Sequence, residues 1–108
     1  MRKLLVGLVV GAACAGAQAE FFDGNKLLAK IKGDAYDYVN AVGYIMGVSD
    51  ATRGITHCPQ ENVTAGQMTD MLKNHLEGLP SVRHLPADQH VTYVLKNNWP
   101  CSKKGTGV

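Results

Sequence analysis

The chain has 108 residues, 45% of them hydrophobic, and its formal net charge of +2 comes from two basic residues near its start, Arg2 and Lys3. This length fits one domain and leaves no room for two. The rest of the chain has no net charge. A nucleic-acid-binding protein needs a basic face, so a neutral chain argues against that class of protein. It also argues against strong attraction to acidic lipid surfaces.

The N-terminal region has the pattern of a secretory signal peptide. Two basic residues precede an apolar run, and residues 17–19, Ala-Gln-Ala, match an A-x-A cleavage sequence. Residues 4–17 are uncharged but fall short of the ~18 positions of a membrane span. We therefore predict a cleaved signal peptide at residues 1–19 rather than a retained anchor. Lipidation of Cys14 is the competing interpretation, but Gly11 stands where a lipobox has a bulky aliphatic residue.

Export determines how the cysteines are interpreted. Cys14 leaves with the signal peptide, so Cys58 and Cys101 remain. In an oxidising compartment, an even pair of cysteines in a small domain predicts a disulfide. The alternative is a catalytic or metal-binding cysteine. A base for catalysis stands next to Cys58, namely His57, but neighbours in sequence rarely face each other in active geometry.

Two helices are predicted in the first half of the mature domain. Asp23 can cap the first, over Asn25–Lys32, and Gly33 ends it. Asp34 can cap the second, which runs to about Thr52. Apolar residues recur at helical spacing in both: Leu27, Leu28 and Ile31 in the first, and Tyr38, Val42, Ile45 and Met46 in the second.

A row of small residues lies beside the apolar stripe of the second helix. Gly43, Gly47 and Ala51 are spaced by four, so they share one face. A glycine inside a helix costs about 1 kcal/mol relative to alanine, and a closely approaching backbone would offset that cost. The approaching backbone belongs either to the same chain, as tight packing, or to a second copy in a homodimer.

The third helix has the clearest start signal of the chain. Thr64 and Gln67 have the spacing of a capping box, and Val63 and Met68 have that of a hydrophobic staple. Gly78 ends the helix. The positions predicted to be buried are Met68, Met71 or Leu72, His75 and Leu76. Methionines at this spacing fit a core better than a soft-metal site.

The last helix begins near Pro86, which suits a first helical turn, and Trp99 closes it. Its predicted buried positions are Ala87, Val91, Val94 and Leu95. Residues 102–108 are predicted to form a flexible tail. No run of residues alternates between apolar and polar as a strand would. We therefore expect an all-α domain at residues 20–101, a small bundle of about four helices with one disulfide.

No stretch of the sequence predicts a catalytic or metal site. The four histidines, His57, His75, His84 and His90, lack the His-x3-His spacing of a helical metal site, so we interpret them as surface or half-buried structural residues. Ser49, Ser81 and Ser102 have no nucleophile-elbow context, and no glycine-rich phosphate loop follows a strand. We expect neither a cofactor nor enzymatic activity.

Five short blocks of the mature chain occur in an informative order. They are GYIMGVSDA at 43–51, CP at 58–59, VTAGQ at 63–67, HLPA at 84–87 and WPC at 99–101. Their order and spacing resemble the Rap/Tai family of immunity proteins over most of the mature chain. That family often carries a second cysteine pair at the places where this chain has Ile31 and Ala41, as if packing replaced one bridge.

The resemblance implies a small, exported, mostly helical and often dimeric protein. It implies a periplasmic immunity protein that binds a peptidoglycan-cleaving amidase effector of type VI secretion and blocks it sterically. The alternative is a small periplasmic stress or chaperone-like protein with no dedicated toxin partner, in which the histidines could act as a pH switch.

An inhibitor that plugs an enzyme cleft needs an ordered polar segment outside the core. Two segments fit this description, Thr56–Asn62 and Pro80–Leu85. The second contains the predicted partner-binding residues Ser81, Arg83 and His84, of which the last two could reach the acidic lip of an amidase site. An ordinary helix connection is the alternative interpretation of this segment.

Overall fold

The computed structural model describes residues 22–102. The predicted signal peptide, Cys14 and all but the first residue of the predicted tail lie outside the described residues. The elements in chain order are α1 (Gly24–Ile31), α2 (Ala35–Thr52), α3 (Ala65–Gly78), a 3-10 turn (Pro80–Val82) and α4 (Ala87–Asn98). The described part of the chain has isolated bridges but no strand, and the predicted all-α bundle is confirmed.

Helix starts follow the local signals of the sequence. Asp23 and Asp34 each accept a hydrogen bond of 2.9 Å from the backbone amide three residues further on. Thr64 Oγ1 accepts from the Gln67 amide at 3.1 Å, and the Gln67 side chain accepts in return from the Thr64 amide. These bonds satisfy amides that have no partner within their own helix. Pro86 differs from the prediction, because it occupies the N-cap position of α4 rather than its first turn.

All six pairs of the four helices are in contact, and their facing sides enclose one hydrophobic core. Its buried members are Leu27, Leu28, Ile31, Ala41, Ile45, Met68, Leu72, Leu76, Ala87, Val91, Val94 and Leu95. The core therefore contains both Ile31 and Ala41, the two residues at which the resemblance suggested that packing replaces a second bridge.

The buried face of α2 differs from the predicted one. The wholly buried positions are Ala41, Ile45 and Ser49, whereas the predicted residues other than Ile45 are only partly buried: Tyr38, Val42 and Met46. The physical reason is that apolar residues occur around most of the circumference of α2, so periodicity alone does not select one face.

The C-terminal helices agree better with the sequence. In α3, Leu72 rather than Met71 takes the buried position between Met68 and Leu76, and His75 is half-buried. In α4 all four predicted apolar positions are buried. The contrast with α2 follows from amphipathicity, because a single apolar stripe can pack in only one orientation.

The disulfide between Cys58 and Cys101 is present, with Cα atoms 4.8 Å apart and a sequence separation of 43 residues. The Cys58 amide also donates to the Trp99 carbonyl at 2.7 Å. The bridge joins the segment after α2 to the end of α4, so it encloses α3 and α4 in one covalent loop. None of the helices within residues 22–102 is both long and apolar enough to cross a membrane.

Candidate functional site

The connection between α3 and α4, which we call the α3–α4 loop (residues 79–86), is held by the start of α1. The amides of Gly24 and Asn25 donate to the carbonyls of Leu85 and Arg83, each at 3.0 Å. Both amides belong to the first turn of α1, where no intrahelical acceptor exists. The N-terminal end of α1 therefore supplies hydrogen bonds that order the loop.

Gly24 marks the closest approach between α1 and the loop. A Cβ atom at this position would lie 2.6 Å from the Arg83 carbonyl oxygen, 2.8 Å from Cδ2 of His90 and 2.9 Å from Cδ2 of Leu76. These distances are too short for any side chain, so the backbones can meet here only because the residue is glycine. The sequence carried no signal for this role, since Gly24 precedes the predicted start of the helix.

His90 of α4 holds the same loop through its side chain. Its Nε2 lies 3.1 Å from the Val82 carbonyl oxygen, and its Nδ1 lies 3.1 Å from Nε2 of His75 in α3. A carbonyl only accepts, so His90 Nε2 carries a hydrogen and Nδ1 of the neutral ring accepts from His75. A single chain of hydrogen bonds thus links α3, α4 and the loop.

The prediction that all four histidines are surface or half-buried is wrong for two of them. His90 is 4% exposed and His57 is wholly buried, because each finds hydrogen-bond partners inside the fold. Burial lowers the pKa of His75, and the electrostatic interaction with the nearby His90 lowers it further. Burial and the positive charge of Arg53 likewise lower the pKa of His57. The spacing of His90 with Ala87 and Val94 was the sequence signal for its core position.

The predicted partner-binding residues are neighbours on the α3–α4 loop. Ser81 and His84 are exposed, whereas Arg83 is half-buried. Nε of Arg83 is buried and has no hydrogen-bond partner within the described residues. A buried donor without an acceptor is unfavourable, and because this Nε is enclosed by the chain, a protein partner would have to contact other atoms of the Arg83 side chain.

The second candidate segment, Thr56–Asn62, is anchored by buried polar contacts. Nε2 of His57 lies 3.1 Å from Ser49 Oγ, and Nδ1 lies 3.4 Å from Thr52 Oγ1. This is a serine–histidine pair, but both residues are 0% exposed and the third group is a hydroxyl rather than a carboxylate. Substrate could not reach it, so the pair fixes the turn beside Cys58 and has no catalytic geometry.

The small-residue row of α2 lies on the surface. Gly43, Gly47 and Ala51 are exposed, and at both glycines a Cβ atom would meet no heavy atom within 4 Å. Close packing inside the described chain therefore does not account for these glycines. Tyr36 and Val39 lie on the same face and are 75% and 67% exposed.

Residues 23–101 match the family model of the Rap1a immunity proteins, a match that covers the whole described helical bundle. This chain belongs to the Rap1a immunity protein family. A search of curated proteins found no match. Membership in the Rap1a family implies that the chain binds a protein effector, and immunity proteins of this family are generally non-catalytic. Within residues 22–102, no cluster of three or more His, Cys, Asp or Glu side chains could hold a metal ion.

Proposed function

We propose that this Rap1a-family protein is a periplasmic immunity protein, exported by a signal peptide at residues 1–19. Its target is a peptidoglycan-cleaving amidase effector of type VI secretion, and it acts by occupying the active-site cleft without chemistry of its own. The observation that carries the proposal is the family match over residues 23–101. The same match favours an immunity role over a stress or chaperone-like role.

The α3–α4 loop is the segment that we assign to the amidase. Its backbone is already ordered by Gly24, Asn25 and His90, so binding would not add the entropy cost of ordering a mobile loop. Ser81 and His84 are exposed to solvent on this rigid support, and the half-buried Arg83 precedes His84 in the same loop. These properties fit a segment that plugs an enzyme cleft better than they fit an ordinary connection between two helices.

The outer face of α2 supports a homodimer as part of the same proposal. The exposed row of Gly43, Gly47 and Ala51 would allow two α2 helices to approach closely, and Tyr36 and Val39 would add apolar contact area. Burial of this face in a dimer would offset the helix propensity that the glycines sacrifice.

The loop assignment is tested by the combined substitution Ser81→Ala, Arg83→Ala and His84→Ala. We expect at least about tenfold weaker inhibition of the cognate amidase, because truncation of central interface residues has effects of this size. The melting temperature should change by no more than about 3 °C, since two of the side chains are exposed and the third leaves a donor unpaired. Peptidoglycan cleavage and thermal unfolding are measured on the same preparations.

A matched triple variant on the other segment, Gln60→Ala, Glu61→Ala and Asn62→Ala, serves as the control. These residues are also exposed and lie outside the α3–α4 loop. Loss of inhibition in this control, with full inhibition by the loop variant, would move the plug to Thr56–Asn62. Failure of the wild-type protein to co-purify from periplasm with any candidate amidase would contradict the proposed function itself.

A further inference from the structure

A groove follows the seam between α3 and α4, starting at the α3–α4 loop. Its loop end is a cleft of about 270 Å³ with walls formed by Leu79, Val82 and Leu85. The adjoining cavity, of about 370 Å³, extends along the two helices. His75 and Tyr93 line both cavities, and their ring centroids are 5.4 Å apart, so the groove consists of two adjacent cavities on either side of this ring pair.

The two ends of the groove differ in chemistry. The loop end is almost entirely apolar, and three of the six large hydrophobic side chains exposed in the described chain lie at it: Leu79, Leu85 and Tyr93. The far end presents the side-chain amides of Asn74 and Asn97, whereas the Asn98 side chain, which also lines it, donates to the Val94 carbonyl at 2.8 Å. Neither set of lining residues includes an Asp, Glu, Lys or Arg. A groove of this composition favours an uncharged occupant over a phosphate, a nucleic acid or a charged peptide.

An extended peptide has the matching chemistry. Asparagine amides donate and accept, so they can pair with both the N–H and the C=O groups of a backbone. The cleft at the loop end is smaller than the ~300–1,000 Å³ typical of small-molecule sites, so it suits one side chain rather than a cofactor. Its floor is rigid, because His75 and His90 are joined to each other and to the Val82 carbonyl.

We propose that this groove receives an extended, uncharged segment of the protein partner. One apolar side chain of that segment occupies the cleft between Leu79, Leu85 and Tyr93, and its backbone lies along Asn74 and Asn97. The identity of the partner rests on the proposed function. The groove adjoins the α3–α4 loop, because Leu79, Val82 and Leu85 of that loop line its apolar cleft.

Two single substitutions test the groove against the cognate effector. Tyr93→Ala removes an exposed rim side chain, and Gln89→Arg places a charge at the apolar end from an exposed helix position. Each should weaken effector binding at least about tenfold, as expected for a site near the centre of an interface. Ile55→Ala is the control, because Ile55 is 76% exposed but lies away from the groove, and it should leave affinity within about twofold of wild type.

A second measurement does not depend on the effector. The neutral probe acetyl-phenylalanyl-alanine amide is titrated into ¹⁵N-labelled protein, and chemical shifts of the side-chain amides of Gln89, Asn74 and Asn97 are followed. We expect saturable shifts of all three amides in the millimolar range for wild type. In Gln89→Arg, which lacks the first of these amides, the amides of Asn74 and Asn97 should not shift. An aspartate-containing analogue of the probe should leave the same amides unchanged.

The outcomes separate the two proposals. An effector that binds Tyr93→Ala and Gln89→Arg as tightly as wild type would overturn the groove proposal and leave the proposed function intact. If no amidase binds wild type, the proposed function fails, and the peptide titration alone decides on the groove. If the neutral probe causes no shifts in the wild-type protein, or if the charged analogue causes equal shifts, the groove proposal is overturned. If the wild-type protein self-associates and Tyr93→Ala abolishes this, the groove binds a second copy of the chain, and the groove proposal is also overturned.

Discussion

Gly24 and His90 hold the α3–α4 loop from two different helices. The first permits close contact of two backbones, and the second provides a side-chain donor to the Val82 carbonyl. Each acts on the loop through an interaction that its residue type makes possible. The geometry of the candidate site therefore depends on residues outside the loop itself.

Replacing Gly24 with alanine should destabilise the protein by about 1–3 kcal/mol. The added Cβ would lie 2.6 Å from the Arg83 carbonyl oxygen, which is backbone and cannot move without displacing the loop. Urea unfolding measures the change. The matched control is Gly66→Ala in the first turn of α3, where the space is open, and it should be neutral or slightly stabilising. Equal stability of the two variants would contradict the close approach.

The stability of the protein should fall as the solution is acidified from pH 7 towards pH 5. The pKa of His75 is lowered from its usual 6.5 by burial and by His90, and that of His57 is lowered by burial and by Arg53. Below about pH 6.5 the unfolded chain binds protons that the folded chain does not, so the free energy of unfolding decreases with falling pH and levels off below the folded pKa.

Thermal unfolding at several pH values checks this expectation. His75→Gln keeps a donor for His90 but cannot titrate, so its stability should depend less on pH between 7 and 5. His84 is exposed, and His84→Gln should retain the wild-type slope. A His75→Gln variant with an unchanged slope would show that this histidine does not contribute.

At the scale of the element, α2 has two different faces. One face places Ala41, Ile45 and Ser49 in the interior, and the opposite face exposes the glycine row with Tyr36 and Val39. Helix stability in a small domain comes mainly from packing of a buried face, so the exposed glycines are tolerated in the monomer without being favoured by it.

Gly47→Leu should leave the monomer folded and abolish the proposed homodimer. The position is open, and leucine has a higher helix propensity than glycine, so the monomer should keep or gain up to about 1 kcal/mol of stability. The bulky side chain would separate two helices that meet at this row. Analytical ultracentrifugation gives the association state and circular dichroism gives the fold.

Ala29→Leu is the control for that experiment. Ala29 is an exposed small residue of α1, outside the row on α2, and its replacement should not change the association state. Wild-type protein that remains monomeric at high micromolar concentration would contradict the dimer, and the glycine row would then need another partner.

For the whole molecule, the disulfide joins the two ends of the C-terminal half. At a sequence separation of 43 between Cys58 and Cys101, loop closure should stabilise the fold by about 4 kcal/mol on the chain-entropy model. That is a large share of the ~5–15 kcal/mol available to a typical domain. The covalent loop encloses α3, α4 and the candidate site between them.

Cys58→Ser should therefore lower the free energy of unfolding by about 2–5 kcal/mol, as should Cys101→Ser. Chemical unfolding of each variant and of the reduced wild type measures the loss, and the three should agree within about 1 kcal/mol. Mass spectrometry with and without alkylation establishes the redox state. Two free thiols in protein purified from periplasm would refute the stabilising role of the bridge there.

Features that depend on residues close together in the chain could be predicted from the amino-acid sequence. Caps at Asp23, Asp34 and Thr64 act over three positions, so the helix starts could be predicted without knowledge of the fold. The cysteine pair also predicted its bond, because only two cysteines remain after the predicted cleavage.

Tertiary structure alone decided which face of α2 is buried, what fixes the α3–α4 loop and how the groove forms. Apolar residues surround α2, so its orientation is chosen by the helices that pack on it. Gly24, His75 and His90 act together although they lie on three different helices, and no local pattern reports contacts between residues so far apart in the chain. The candidate site exists only when the core has assembled, because each group that orders the loop is positioned by packing.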